Sequence, residues 1–151
     1  MERWIDFSDF EKGLEKLVQE SVPEDIDRGL FRAANQLLDD AIYVIPKAPF
    51  DEGHLRGSAR TQGAGNILYK PRAEPPKGFK GKRETEGISI QTGFNIVYAA
   101  RWHELTPAED AKINWTLPGS GRKYLESKMS MFKEDYLKIF AMYLRKRLGS
   151  K

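Results

Sequence analysis

Cysteine is absent from these 151 residues. That excludes disulfide scaffolds, thiol nucleophiles and cysteine-ligated zinc or iron–sulfur centres. Histidine occurs only as His54 and His103, which excludes a multi-histidine metal site within one copy. No apolar run approaches the roughly 18 residues of a membrane span. No apolar stretch follows a basic one near the start, so the sequence predicts no secretory signal. The phosphate-loop, dinucleotide, zinc-protease and serine-elbow patterns are all missing. The net charge of +3 is too small to name a partner. No cofactor is expected from such a chain. What it has is an apolar fraction of 40% with 8 Phe, 6 Tyr and 3 Trp, too many for disorder. The length suits one domain over 1–151, since domains cluster near ~100–150 residues.

Helical patterns stand at both ends. Residues 8–20 read as a first helix within an N-terminal helical extension, 1–22. Ser8 and Glu11 have capping-box spacing there, and Phe10, Leu14, Leu17 and Val18 share a face. Pro23 then opens a long helix predicted over 23–45, where its missing N–H costs nothing. Ile26, Leu30, Ala33, Ala34, Leu37, Ala41, Val44 and Ile45 recur at steps of three or four, and Pro46 stops the pattern. A last helix is expected from Arg122, with Leu125, Met129, Phe132, Tyr136, Phe140, Tyr143 and Leu148 as its buried stripe. Between them, Ser58–Gln62 and Gly87–Phe94 read as an antiparallel strand pair, the second with one solvated side. Val97–Leu105 reads as a short helix. Residues 106–121 read as loop, with a brief strand at Ile113 and Trp115. The order predicts an α+β fold: a long N-terminal helix and a C-terminal helix on one face of a small antiparallel sheet.

Charge is concentrated where regular structure is not expected. Lys70, Arg72, Lys77, Lys80, Lys82 and Arg83 stand against the single acid Glu74, so the segment carries +5 and the remainder of the chain −2. Pro71, Pro75, Pro76, Gly78 and Gly81 punctuate it. Prolines remove donors and glycines add freedom, so 70–83 reads as a basic mobile loop or the tip of an extended arm. Either it is a solvated linker, or it meets phosphate or an acidic neighbour. Half of such an arm, seven residues, would reach ~24 Å.

Candidate chemistry is sparse. His103-Glu104 pairs an imidazole with a carboxylate, as general acid–base work requires. Neighbours on a helix point about 100° apart, however, so the two do not converge on one substrate atom. A hydrogen bond from His103 to a neighbouring element is the expectation. Asp51 is best used as a helix cap. Gly119-Ser120-Gly121 is glycine-rich like an anion loop, but reads as a flexible start to the last helix. The sequence therefore predicts no catalytic and no metal site.

Three segments, in order, carry a resemblance. Ala48-Pro49-x-Asp51-x-Gly53-x-Leu55-Arg56-x-Ser58 resembles the A-P-x-D-T-G-x-L-R-x-S segment of small tailed-phage neck proteins, also known as minor capsid, tail-component or head–tail joining proteins. Gly93-Phe94-Asn95-x-x-Tyr98-Ala99-x-x-x-His103-Glu104 is similar to that family's G-F-x-x-x-Y-A-x-x-x-H-E. Gly121-Arg122-Lys123-Tyr124-Leu125-Glu126 is similar to the G-x-K-Y/F-L-E that opens its last helix. The resemblance spans about 23–148. Glu52 stands where the family usually has Thr, and Leu105-Thr106 follows Glu104 where one branch has glycine.

The resemblance implies a non-enzymatic virion protein, built in the bacterial host cytoplasm into a ring of commonly six copies at the head–tail junction. Its partners would be copies of itself, neighbouring head-completion or adaptor and tail-terminator proteins, and DNA in the lumen, with no membrane. Pro49, Asp51 and Gly53 would shape the turn from helix into sheet. Gly93 would allow a bend or a close backbone approach, Tyr98 and Ala99 would pack the short helix, and His103 and Glu104 would hold it or meet a neighbour. A nucleic-acid-binding module built on the basic segment is the alternative expectation, although Tyr69 and Phe79 are the only aromatics near it. An enzyme using His103 and Glu104 ranks third.

Overall fold

The structure is a computed structural model, describing residues 3–6, 22–49, 54–85, 87–94, 99–115 and 117–148. The expected helix at 8–20 and the motif residues Asp51, Gly53 and Tyr98 lie outside the described residues.

In chain order the elements are β1 Arg3–Asp6, α1 Pro23–Tyr43, α2 His54–Gly57, β2 Ala59–Gln62 and β3 Asn66–Leu68. They continue with β4 Lys82–Glu84, β5 Gly87–Ser89, β6 Gln91–Phe94, α3 Ala99–His103, α4 Pro107–Lys112 and α5 Glu126–Leu148. The expected α+β architecture is present. α1 lies on β2, β5 and β6, and α5 packs along α1. The sheet runs β1-β6-β2-β3, every neighbouring pair antiparallel, with β4–β5 as a separate two-stranded ribbon.

α1 starts at Pro23 as its sequence dictates, with Glu24 and Asp25 facing the positive end of the helix dipole. Its apolar stripe from Ile26 to Ile42 is buried. It ends two residues earlier than the periodicity suggests. Pro46 disfavours helical backbone at the residue before it, Ile45, and the helix stops short of that point: Val44 is already extended and Ile45 is 66% exposed. α5 begins four residues later than expected, after a turn over 122–125, and bends where Phe132 departs from helical geometry (φ −123°, ψ 17°). Tyr136, Phe140 and Leu144 are fully buried against α1.

The two helices approach closely at Gly29. A β-carbon there would stand 2.7 Å from Phe140 Cδ2 and 3.2 Å from the Phe140 carbonyl oxygen and Tyr143 Cβ. Gly29→Val is therefore expected to destabilise the fold by roughly 2–3 kcal/mol through overpacking, read as a lower urea midpoint.

The sheet departs from expectation in three ways. β1 lies inside the stretch expected to be a helical extension, and pairs Arg3 to Asp6 with Phe94 to Gln91. The predicted strand 87–94 is two strands that meet at the buried Ile90, because its two halves have different partners: β4 on one side, β1 and β2 on the other. On the face expected to be solvated, Ser89 and Gly93 are buried and Gln91 alone is exposed, so that face is largely covered. β2 and β6 do form the expected antiparallel pair, and the Thr61 and Thr92 hydroxyls meet across it at 3.2 Å.

Residues 106–121 hold a helix where loop is expected. α4 starts with a full capping box: Glu109 N–H donates to the Thr106 hydroxyl at 3.2 Å, and Thr106 N–H to the Glu109 carboxylate at 3.0 Å. None of its residues is buried, so it leaves no apolar periodicity to read, and caps alone mark it. Ile113 and Trp115 form no strand. The Trp115 indole instead donates to Asp110 at 3.1 Å. Gly119-Ser120-Gly121 does not open α5. It runs beside Lys47, whose N–H donates to the Gly119 carbonyl at 2.8 Å. Among the described residues no helix is long and apolar enough to cross a membrane.

Candidate functional site

The basic segment is docked, in contrast to the mobile arm expected. Three α1 side chains hold its backbone or its cations, and a fourth packs against its aromatic ring. Asp27, 2% exposed, accepts the Gly81 N–H at 2.9 Å and a two-pronged contact from the Arg83 guanidinium, with Nη2 at 2.9 Å. Asp39 accepts the Arg72 N–H at 3.2 Å and the Tyr69 hydroxyl. Burial, with that contact, pushes the Tyr69 hydroxyl far above its ordinary value. Asn35 donates to the Lys70 carbonyl at 3.2 Å. Phe31 meets Phe79 edge-on at 5.0 Å. From the other side, Ala64 N–H donates to the Lys80 carbonyl at 2.9 Å, and α5 reaches the segment through Tyr143, whose hydroxyl donates to Glu74 at 2.8 Å.

Docking sorts the candidate residues. Lys70, Arg72, Lys77, Lys80 and Lys82 are exposed along a segment whose backbone is tied down. Arg83, placed by sequence among the free cations, is half of an ion pair with Asp27, and it and Lys82 belong to β4. Phe79 is 8% exposed and the Tyr69 hydroxyl is engaged, so neither aromatic is offered for base stacking. Sequence reading missed Asp27 and Asp39. The signal available was two acids inside the apolar stripe of α1, each three or four residues from a buried neighbour.

Residues of the three segments that carry the resemblance act as joints. Arg56 donates to the Ala48 carbonyl from Nε at 3.2 Å and Nη2 at 3.0 Å, and to the Ile42 carbonyl at 3.1 Å. It thereby fastens α2 to the end of α1, with half-buried Pro49 between them in sequence. Leu55 is buried beside it, and the Ser58 hydroxyl donates to the Leu55 carbonyl at 2.6 Å.

His103, Glu104, Tyr124 and Leu125 join α3 to α5. His103 is fully buried. Its Nε2 accepts the Glu126 N–H at 3.1 Å at the start of α5, and its Nδ1–H donates to Glu104 at 2.9 Å. This is the structural tie expected of it. Tyr124 stands edge-on to His103 at 5.0 Å and to Phe94 at 5.4 Å, and its hydroxyl donates to the Ala99 carbonyl at 2.8 Å. His103, Glu104 and Glu126 bring ligand-type atoms within 4.8 Å of one another. Lys123 already bridges the two carboxylates, 3.1 Å from Glu126, and its hydrogen bonds to Glu104 and Glu126 hold its proton more tightly than usual. A cation would have to displace that ammonium and both imidazole contacts.

A buried polar chain lies between α1 and α5. Lys128, fully buried, donates to the Tyr124 carbonyl at 3.0 Å, the Ser127 hydroxyl at 3.1 Å and the Pro46 carbonyl. Desolvation lowers its pKa to about 8. The unfolded chain therefore holds more protons than the folded one between about 8 and 10.5, and this group makes stability rise with pH across that window. The urea midpoint is expected to carry an upward contribution between about pH 7.5 and 9.5 that Lys128→Met removes. Above about pH 10 the sign reverses, because buried Tyr136 and half-buried Tyr143, the latter pushed up to about 12, keep protons that the unfolded chain releases.

Comparison with known protein families, with characterised proteins and with solved structures finds no match to this chain.

Proposed function

We propose that this chain is a structural, non-enzymatic virion subunit of a tailed phage or prophage, a head–tail connector or neck protein that assembles into a ring, six copies favoured, at the head–tail junction. Its neighbours would be head-completion or adaptor and tail-terminator proteins, with DNA passing through the lumen. The observation that carries the reading is a division of labour. The motif side chains Arg56, His103 and Tyr124 join elements to one another, while Lys70, Lys77, Lys80 and Lys82 face outward from a fixed backbone. Repeated around a ring, such a rim of cations would attract DNA or an acidic face of an adjoining ring.

Size-exclusion chromatography with light scattering, alone and with candidate neck partners, tests the reading together with electron microscopy of the particle. Rings, or assembly triggered by a partner, are expected. A particle in which this chain has no place at the head–tail junction overturns the proposal.

The second reading is a nucleic-acid-binding module, favoured by the same exposed lysines. It predicts tight binding by the isolated monomer, lost when Lys77, Lys80 and Lys82 become alanine. The connector reading predicts weak, salt-screened binding instead.

A further inference from the structure

The solvent face of α1 and the start of the basic segment enclose a groove of about 670 Å³. Arg32, Gln36, Asp40 and Tyr43 line it from successive turns of α1, and Arg72 lines it from the segment. The acids of this groove are engaged from within. Both Asp39 oxygens accept from the Arg72 N–H, and one also accepts from Tyr69. Asp40 accepts the Tyr136 hydroxyl at 2.7 Å and the Gln36 amide at 3.1 Å, and desolvation holds its carboxyl above the usual carboxylate range.

The cations are placed differently. Arg32 Nη2 donates to Gln36 Oε1 at 3.3 Å, so the chain Arg32–Gln36–Asp40–Tyr136 orients the guanidinium. Its Nη1 is buried and has no hydrogen-bond partner among the described residues. A donor removed from water and left unpaired is costly until some group accepts from it. Arg72 has a positive φ of 52°, which side chains other than glycine rarely adopt. Asp39 holds that backbone geometry, and the exposed Arg72 side chain lines the same groove as Arg32. Local strain retained beside an unpaired donor is the kind of feature that marks a binding site.

We propose that this groove is a phosphate site, in which one phosphate group is held between the Arg32 and Arg72 guanidiniums. A phosphate group carries acceptors on several oxygens, enough for two guanidinium forks at once, and its charge matches the two cations. The phosphate would come from a small phosphorylated molecule or from a nucleic-acid backbone. The inference does not depend on ring formation.

Calorimetric titration of the full chain at low salt tests it, with inorganic phosphate in one arm and a short mixed-sequence DNA duplex in the other. Arg72→Ala and Arg32→Gln are each expected to weaken binding at least about tenfold. Lys77→Ala, outside the groove, is expected to have a much smaller effect. Arg32→Lys keeps the charge without the fork. It should retain the wild-type circular dichroism and still bind more weakly, which separates a lost site from a lost fold. Phosphate binding with this pattern indicates a small phosphorylated ligand. DNA binding with this pattern, without phosphate binding, indicates the backbone. Failure to bind either probe, or equal loss in Arg72→Ala and Lys77→Ala, overturns the proposal.

Discussion

Asp27→Ala is expected to destabilise the protein by roughly 2–3 kcal/mol, because a buried carboxylate that accepts charge-assisted hydrogen bonds is lost while half-exposed Arg83 returns to water. The carboxylate is almost fully buried and answers three donors on the basic segment. Removing it leaves the Gly81 N–H without that acceptor and the Arg83 guanidinium without this counter-charge. The damage should be local before it is global. Hydrogen exchange over 77–84 is expected to accelerate strongly while the α1–α5 interface remains protected. Arg83→Ala gives the contrast, because Asp27 then keeps the Gly81 N–H and the Arg83 side chain is half exposed. It strands a carboxylate that is 2% exposed without its counter-charge, so its cost should be comparable, and exchange over 77–84 separates the two variants. Equal exchange rates over 77–84 in wild type and Asp27→Ala would show that the segment is held by something else. On the connector reading, release of this segment should also impair assembly, since the cations would no longer be presented from a fixed backbone.

Arg56→Ala is expected to cost about 2–4 kcal/mol, since hydrogen bonds from a charged donor contribute roughly 1.5–3 kcal/mol apiece. The guanidinium binds the Ile42 carbonyl in the last turn of α1 and the Ala48 carbonyl beyond it. Ala48 is fully buried, and water cannot simply replace the lost donors there. Burial already lowers the Arg56 pKa from its ordinary value, which marks the guanidinium as partly desolvated. Arg56→Lys should recover only part of the loss, because an ammonium lacks the planar fork that reaches two carbonyls together. Thermal unfolding of the three proteins side by side is the measurement. A melting temperature of Arg56→Lys equal to wild type would rule out the two-carbonyl joint as the source of stability.

Local signals were readable one residue at a time. The start of α1 lies in Pro23-Glu24-Asp25, its body in the stripe from Ile26 to Ile42, and its end in Pro46. α2 and α3 follow similar short-range patterns. α4 was legible too, through Thr106, Pro107 and Glu109, but an exposed helix is invisible to a search for apolar periodicity. The short strands were harder. β3 and β4 have three residues each, and β1 pairs with a strand nearly ninety positions away. Strands of that length take their identity from the partner, because their own propensity is too weak to specify it.

The candidate site divides along the same line. Sequence order alone brought forward Arg56, Ser58, His103, Tyr124 and the cations from Lys70 to Arg83, and it predicted that His103 works by hydrogen bonding. Sequence by itself determined the two long helices, the antiparallel pairing of β2 with β6 and the concentration of charge, since each depends on neighbours within a few residues or on a strong alternation. Tertiary structure alone decided that the basic segment is docked, that Arg83 is paired, and that the Lys128 ammonium lies buried against three acceptors. Those outcomes depend on contacts such as Asp27 with Arg83 and Lys128 with Pro46, 56 and 82 positions apart. Contacts at that separation form only once the helices have packed, so no local pattern records them.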